Sequence, residues 1–144
     1  MVEKHKMTAS FEQLKYSSLM LREEWTKMVS TFNDLANNGW TDNAIIELIT
    51  YISISEFGAK LFPGSSLGTL LISKPIDGRL NYQTTLGISF DKKTNKFVFS
   101  YSDWDSIDNR EDYIKAIIWK QECQKSELKT SFIDFIKWNE TWDL

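Results

Sequence analysis

Five carboxylates, Asp103, Asp105, Asp108, Glu111 and Asp112, crowd into residues 102–114 together with Trp104 and Tyr113, a quarter of the chain's twenty acidic residues. Clustered carboxylate oxygens suit a hard cation. They do not make an EF-hand loop: with Asp103 as the first ligand, Ile107 falls at a ligand position, Asp108 at the required glycine and Ile114 at the bidentate glutamate. Paired-carboxylate hydrolysis of a sugar needs two specific acids facing each other, and no pair among the twenty stands out by spacing.

The other reactive residue types are scarce. Asp103-Trp-Asp105 matches the DxD spacing of metal-dependent sugar transferases, but two acids one residue apart recur by chance, and 144 residues is short for that class. The single histidine, His5, sits between two lysines near the N-terminus, where a solvated residue is the ordinary outcome. Neither Cys123 nor any serine therefore has an imidazole to activate it, which removes Ser-His-Asp and Cys-His chemistry. One Cys and one His cannot make a tetrahedral zinc site, and Cys123 reads as a small, half-buried residue. The six glycines, at 39, 58, 64, 68, 78 and 87, are too widely spaced for a phosphate-binding loop and fit turns, caps and strand positions. No cofactor is expected.

Charge points instead to binding. The chain carries a formal net charge of −3, with the acidic segment followed and preceded by milder stretches and no basic run, so direct nucleic-acid binding is disfavoured. Aromatic residues anchor interfaces, and clustered charge steers association with a partner of opposite sign. On that reading the contact set is Asp103, Trp104, Asp105, Asp108, Glu111 and Asp112, and the partner is basic. The competing reading is a solvated loop whose aspartates make turns and cap a following helix, with Trp104 folded back on the core.

The elements that position this segment follow from periodicity. Ser10-Phe-Glu-Gln13 reads as a capping box, and Leu14, Ser18, Leu21, Trp25, Met28, Phe32 and Leu35 then stack on one stripe of a helix ending near Asn37-Asn38-Gly39. Such spacing also fits a coiled-coil seam, but bulky Trp25 and Phe32 favour a helix lying across its own core. Thr41 is the expected cap of a second helix with Ile45, Leu48, Ile49 and Ile52 on one face, ended by Gly58. β-formers follow at 67–73, 80–90 and 96–101, separated by turns at Pro63-Gly64, Asp77-Gly78 and 91–95, an antiparallel meander. Residues 113–123 suit either a helix or a fourth strand, and the strand is preferred. Ser126 is the expected cap of a last helix, with Leu128, Phe132, Phe135 and Ile136 on one face, ending at Trp138. The fold class is α+β: an N-terminal helical hairpin, a small antiparallel sheet of three or four strands, and a C-terminal helix. Residues 1–9 are expected to form a disordered tail and 10–144 a single domain.

The N-terminus lacks the apolar core of a secretory signal, no stretch approaches the length of a membrane span, and a lone cysteine suits a reducing compartment, so the cytoplasm is the expected location. The sequon Asn139-Glu-Thr141 would matter only in a secreted protein.

The order of an amphipathic helical part, the strand-turn-strand LGISFDKKTNKFVFSYSD at 86–103, a later Trp119 and a closing helix at 126–138 resembles small bacterial immunity proteins. These neutralise the toxin domains of contact-dependent inhibition and related polymorphic toxin systems. The resemblance covers roughly residues 67–140 as a pattern and carries no shared active-site signature, so no residue role transfers by position. It implies a cytoplasmic, catalytically inert inhibitor that binds one cognate toxin, often a nuclease whose basic groove an acidic partner covers. The alternatives are a small metal-dependent enzyme using the 103–112 carboxylates, or an adaptor that dimerises through the heptad-spaced helix.

Overall fold

A computed structural model describes the backbone of residues 2–107 and 113–144 and the side chains of 18–107 and 114–144. The protein is α+β. Helix α1 (Val2–Asn37) and helix α2 (Ala44–Ile54) precede an antiparallel meander of β1 (Phe62–Ser66), β2 (Thr69–Ser73), β3 (Thr84–Asp91) and β4 (Lys96–Asp103). A one-turn helix α3 (Tyr113–Ala116) leads into β5 (Ile117–Cys123), and helix α4 (Leu128–Trp138) closes the fold. Strand order follows the chain, leaving β1 and β5 as edges.

The helical stripe packs against its own domain. Trp25 and Phe32 are fully buried, Leu21 nearly so, and Met28 and Leu35 lean on the same core. The Trp25 indole donates to the Leu61 carbonyl at 2.8 Å, satisfying its one polar atom. Arg22 reaches across to donate to the Ser53 and Ser55 carbonyls, supplying a cation where the α2 dipole is negative. At the end of α1, the Gly39 amide donates to Ala36 and the Trp40 amide to Leu35, a Schellman closure that needs Gly39 at φ 80°. The helix begins upstream of Ser10, so the capping box is not its start. Glu3, Lys4, Lys6, Met7 and Ala9 contain no breaker and continue the helix.

On the sheet, Leu86, Ile88, Phe97, Phe99 and Tyr101 alternate onto the core face beneath Ile45, Leu48, Ile49, Ile52, Phe132 and Phe135. Gly87, Ser89, Val98 and Ser100 line the opposite face.

Several local expectations are corrected. The sheet has five strands, because Pro63-Gly64 lies inside β1 rather than in a turn. Proline lacks a donor, but an edge strand has one side that needs none. The turn is instead Leu67-Gly68, both at positive φ between the paired residues Ser66 and Thr69, so 67–73 is not one strand. The third strand starts at Thr84, not at residue 80. The Asn81 side chain accepts from the Gln83 amide, its amide donates to Ser73 Oγ, and Thr85 Oγ1 donates to its carbonyl, which holds 81–83 outside the ladder. Gly58 does not end α2. It lies in a 3₁₀ turn (Glu56–Ala59) where an added Cβ would sit 2.5 Å from the Ile52 carbonyl oxygen. Residues 113–123 divide into one helical turn and a strand. Ser126 lies within a 3₁₀ turn (Lys125–Glu127), whose N-cap is Gln124, its amide donating to Glu127 Oε1. Asn139 of the sequon is buried at the end of α4, where its Oδ1 accepts from Thr141.

Thr41 does not cap α2 either. Its hydroxyl is buried with no hydrogen-bond partner among the described residues; the N-cap is Asn43, which makes no side-chain cap bond, and it is Asp42, one residue before it, that accepts from the Ala44 amide at 2.9 Å. Lys125, 83 positions later, closes on Asp42 at 2.8 Å and lies over the Phe90 ring. Burial raises the Asp42 carboxyl, but the Lys125 hydrogen bond, the Ala44 amide and the Lys125 charge together outweigh it and hold its pKa below the ordinary 3.8. A carboxylate with a lower pKa folded than unfolded stabilises fully above its unfolded value, and that contribution is lost as pH falls through the folded one. Asp42→Asn is therefore expected to lower stability at neutral pH by about 1 kcal/mol and to flatten the acid limb of a urea-midpoint-against-pH curve. An unchanged acid limb would show that the pair is thermodynamically idle.

Candidate interaction surface

β4 carries the chain out of the sheet at Asp103, and local bonding turns it there. Asp103 Oδ1 accepts from the Asp105 amide at 3.0 Å and Ser106 Oγ donates to the Asp103 carbonyl at 2.7 Å, forming a 3₁₀ turn (Trp104–Ser106). The Trp104 amide donates to the Gln83 carbonyl at 2.8 Å, extending the β3–β4 ladder one step past the Thr84–Asp103 pair. The acidic turn is thus fastened to the sheet rather than hung from it.

Asp103 and Trp104 are half-buried and Asp105 is exposed. Among the described residues, neither aspartate enters an ion pair, whereas Asp42, Glu24 and Glu56 each have a lysine within reach. Trp104 is neither entombed nor fully displayed. Asp108, Glu111 and Asp112 lie outside the described residues.

Three exposed apolar side chains that local pattern does not nominate share this end of the sheet. Tyr82, next to the residue that binds Trp104, is 69% exposed; Ile114 on α3, which packs against the acidic turn, is 70% exposed; Ile76 stands beside the Asp77-Gly78 turn at 49%. Tyr82 sits in the polar run Asn81-Tyr-Gln83, and only its side-chain type hinted at a contact role. The outcome is an end-of-sheet surface that carries exposed apolar and aromatic groups at the same end as Asp103 and Asp105, the composition of a protein-binding patch.

Compared with known protein families, curated proteins and solved structures, the chain matches none.

Among the described residues no three His, Cys, Asp or Glu side chains converge as ligands for a metal ion. Cys123 is buried beneath α4, more deeply than its sequence context suggested. Burial pushes its thiol up, Glu127 pushes in the same direction, and a hydrogen bond with Ser131 only partly opposes them. A thiol held protonated in this way is a poor nucleophile. No helix among the described residues is long and apolar enough to cross a membrane.

Proposed function

We propose that this protein is an immunity-type inhibitor, which binds a cognate bacterial toxin domain of basic, nuclease character through the surface around residues 103–105 and neutralises it by occlusion. One observation carries the reading: Asp103 and Asp105 are held by the fold at the end of the sheet, unpaired with any described cation, beside half-buried Trp104 and exposed Tyr82 and Ile114. Charges left without internal partners act at long range, and apolar neighbours supply the short-range contact that charge alone does not. The placement also favours a macromolecular partner, because among the described residues these groups do not converge on one point as a ligand cluster does. The resemblance of 86–103, Trp119 and the closing helix to immunity proteins agrees with this use.

The test begins with the open reading frame immediately upstream of the coding sequence. On this proposal it ends in a small basic toxin domain, which the purified protein binds and inactivates. Reversing Asp103, Asp105 and Asp108 to lysine is expected to leave the circular dichroism spectrum intact and to slow association about 10-fold or more at low salt, with a smaller effect at high salt. Association kinetics indifferent to the triple reversal would remove the segment from the interface.

A further inference from the structure

The two edges of the sheet are built differently. β1 carries Pro63, a residue that blunts pairing, whereas β5 is a seven-residue strand without proline or glycine. Among the described residues no strand pairs with the outer edge of β5. Its inner-face residues, Trp119, Gln121 and Cys123, look toward α4; Gln121 donates to Ser131 Oγ at 3.1 Å. Lys120 and Glu122 point to the other face and are exposed. Their cross-strand neighbours on β4 are Ser100 and Val98, which neutralise neither.

We propose that β5 is a self-association edge, pairing antiparallel with β5 of a second copy about a two-fold axis at Gln121. Residues directly opposite in an antiparallel pair lie on the same face and share hydrogen-bonding parity, so only registers that match inner with inner residues are open. An axis at Lys120 would oppose two ammonium groups, and an axis at Glu122 two carboxylates. The axis at Gln121 sets each Lys120 against the second copy's Glu122, making two complementary pairs on the outer face. On the inner face it sets Trp119 against the second copy's Cys123. Both helical layers then fall on the same side of one continuous sheet. Trp138, 45% exposed and 6.0 Å from the Trp119 ring, lies next to the joint and loses solvent there. The pairing uses a different part of the molecule from residues 103–105 and stands whether or not a toxin is bound.

Sedimentation velocity of the full chain over a concentration series tests the proposal. A reversible monomer–dimer equilibrium is expected. Lys120→Glu turns two attractive pairs into two repulsive ones and weakens dimerisation by about 10-fold or more, and the double exchange Lys120→Glu, Glu122→Lys restores it. Both positions are exposed, so the fold is unaffected, as circular dichroism would confirm. Amide exchange in 119–123 is expected to slow in step with dimer formation. A chain monomeric at every concentration overturns the proposal. So does a dimer that ignores Lys120→Glu or that the double exchange fails to rescue, since it would use another surface, such as the α1 stripe.

Discussion

Replacing Phe135 by alanine is expected to remove about 3–5 kcal/mol of stability, read as a shift of the urea midpoint at unchanged slope. The size of the loss follows from where the ring sits. Phe135 is fully buried on α4, and four other rings surround it: Tyr101 and Trp119 at 5.1 Å, Trp142 at 5.0 Å and Trp138 at 6.1 Å. Two of these, Trp119 and Trp142, meet it at steep angles, the edge-to-face geometry that adds attraction beyond area burial. Large flat rings cannot collapse into the space left by a missing neighbour without leaving their rotamers, so the cavity persists and its cost is added to the lost transfer energy. For a domain whose whole stability is of order 5–15 kcal/mol, this is a large fraction. The same substitution also loosens Trp142 and Trp138, which sharply reduces the near-ultraviolet dichroism. A loss below about 1 kcal/mol would mean that the aromatic cluster is not what ties α4 to β4 and β5.

The second large effect is at Gly68, where alanine is expected to cost about 2–4 kcal/mol. Two independent penalties meet there. The residue has φ 86°, a conformation that a side chain resists, and a Cβ would fall 2.3 Å from the Trp40 carbonyl oxygen and 3.0 Å from its carbon. The obstacle is backbone, held by the Schellman closure of α1, so it cannot swing aside. Gly78 is the internal control: its φ is 72°, but nothing lies within 4 Å of the Cβ position. Gly78→Ala should therefore cost only the conformational part, about 1–2 kcal/mol. The difference between the two variants measures how tightly the β1–β2 turn docks on the end of α1. Equal losses would show that this docking contributes nothing.

These two sites mark how far local pattern reached. Phe135 was legible as a core residue because Leu128, Phe132, Phe135 and Ile136 recur at helical spacing. Gly68 reads locally as a strand position, since the run Leu67-Gly-Thr-Leu-Leu-Ile is rich in β-formers and nothing near it reports that Trp40 presses against it. Thr41 shows the same gap. Hydroxyl chemistry and position both nominated it as a cap, yet the carboxylate one residue later prevailed, with a lysine from the far end of the chain to support it. At the candidate surface, composition alone singled out Asp103, Trp104 and Asp105. The approach of Tyr82 had no local signal, because it is distant in sequence and unremarkable in its own neighbourhood; Ile114 lies within residues 102–114 but fits a helix or strand position there, so its exposure is not legible locally.

What the chain determines by itself is whatever depends on the next few residues: the apolar stripe of α1, the turns at Asp77-Gly78 and 91–95, the alternation of β4, the end of the closing helix at Trp138. These rest on backbone sterics and side-chain periodicity, which act over one or two turns or a single hairpin. Only the tertiary structure decided that Pro63 belongs to a strand, that the sheet keeps an unblunted edge at β5, and that the acidic turn is set among exposed apolar groups. Each of those outcomes depends on which segments far apart in sequence become neighbours. That choice is made by burying one shared core, a property of the whole chain rather than of any window along it.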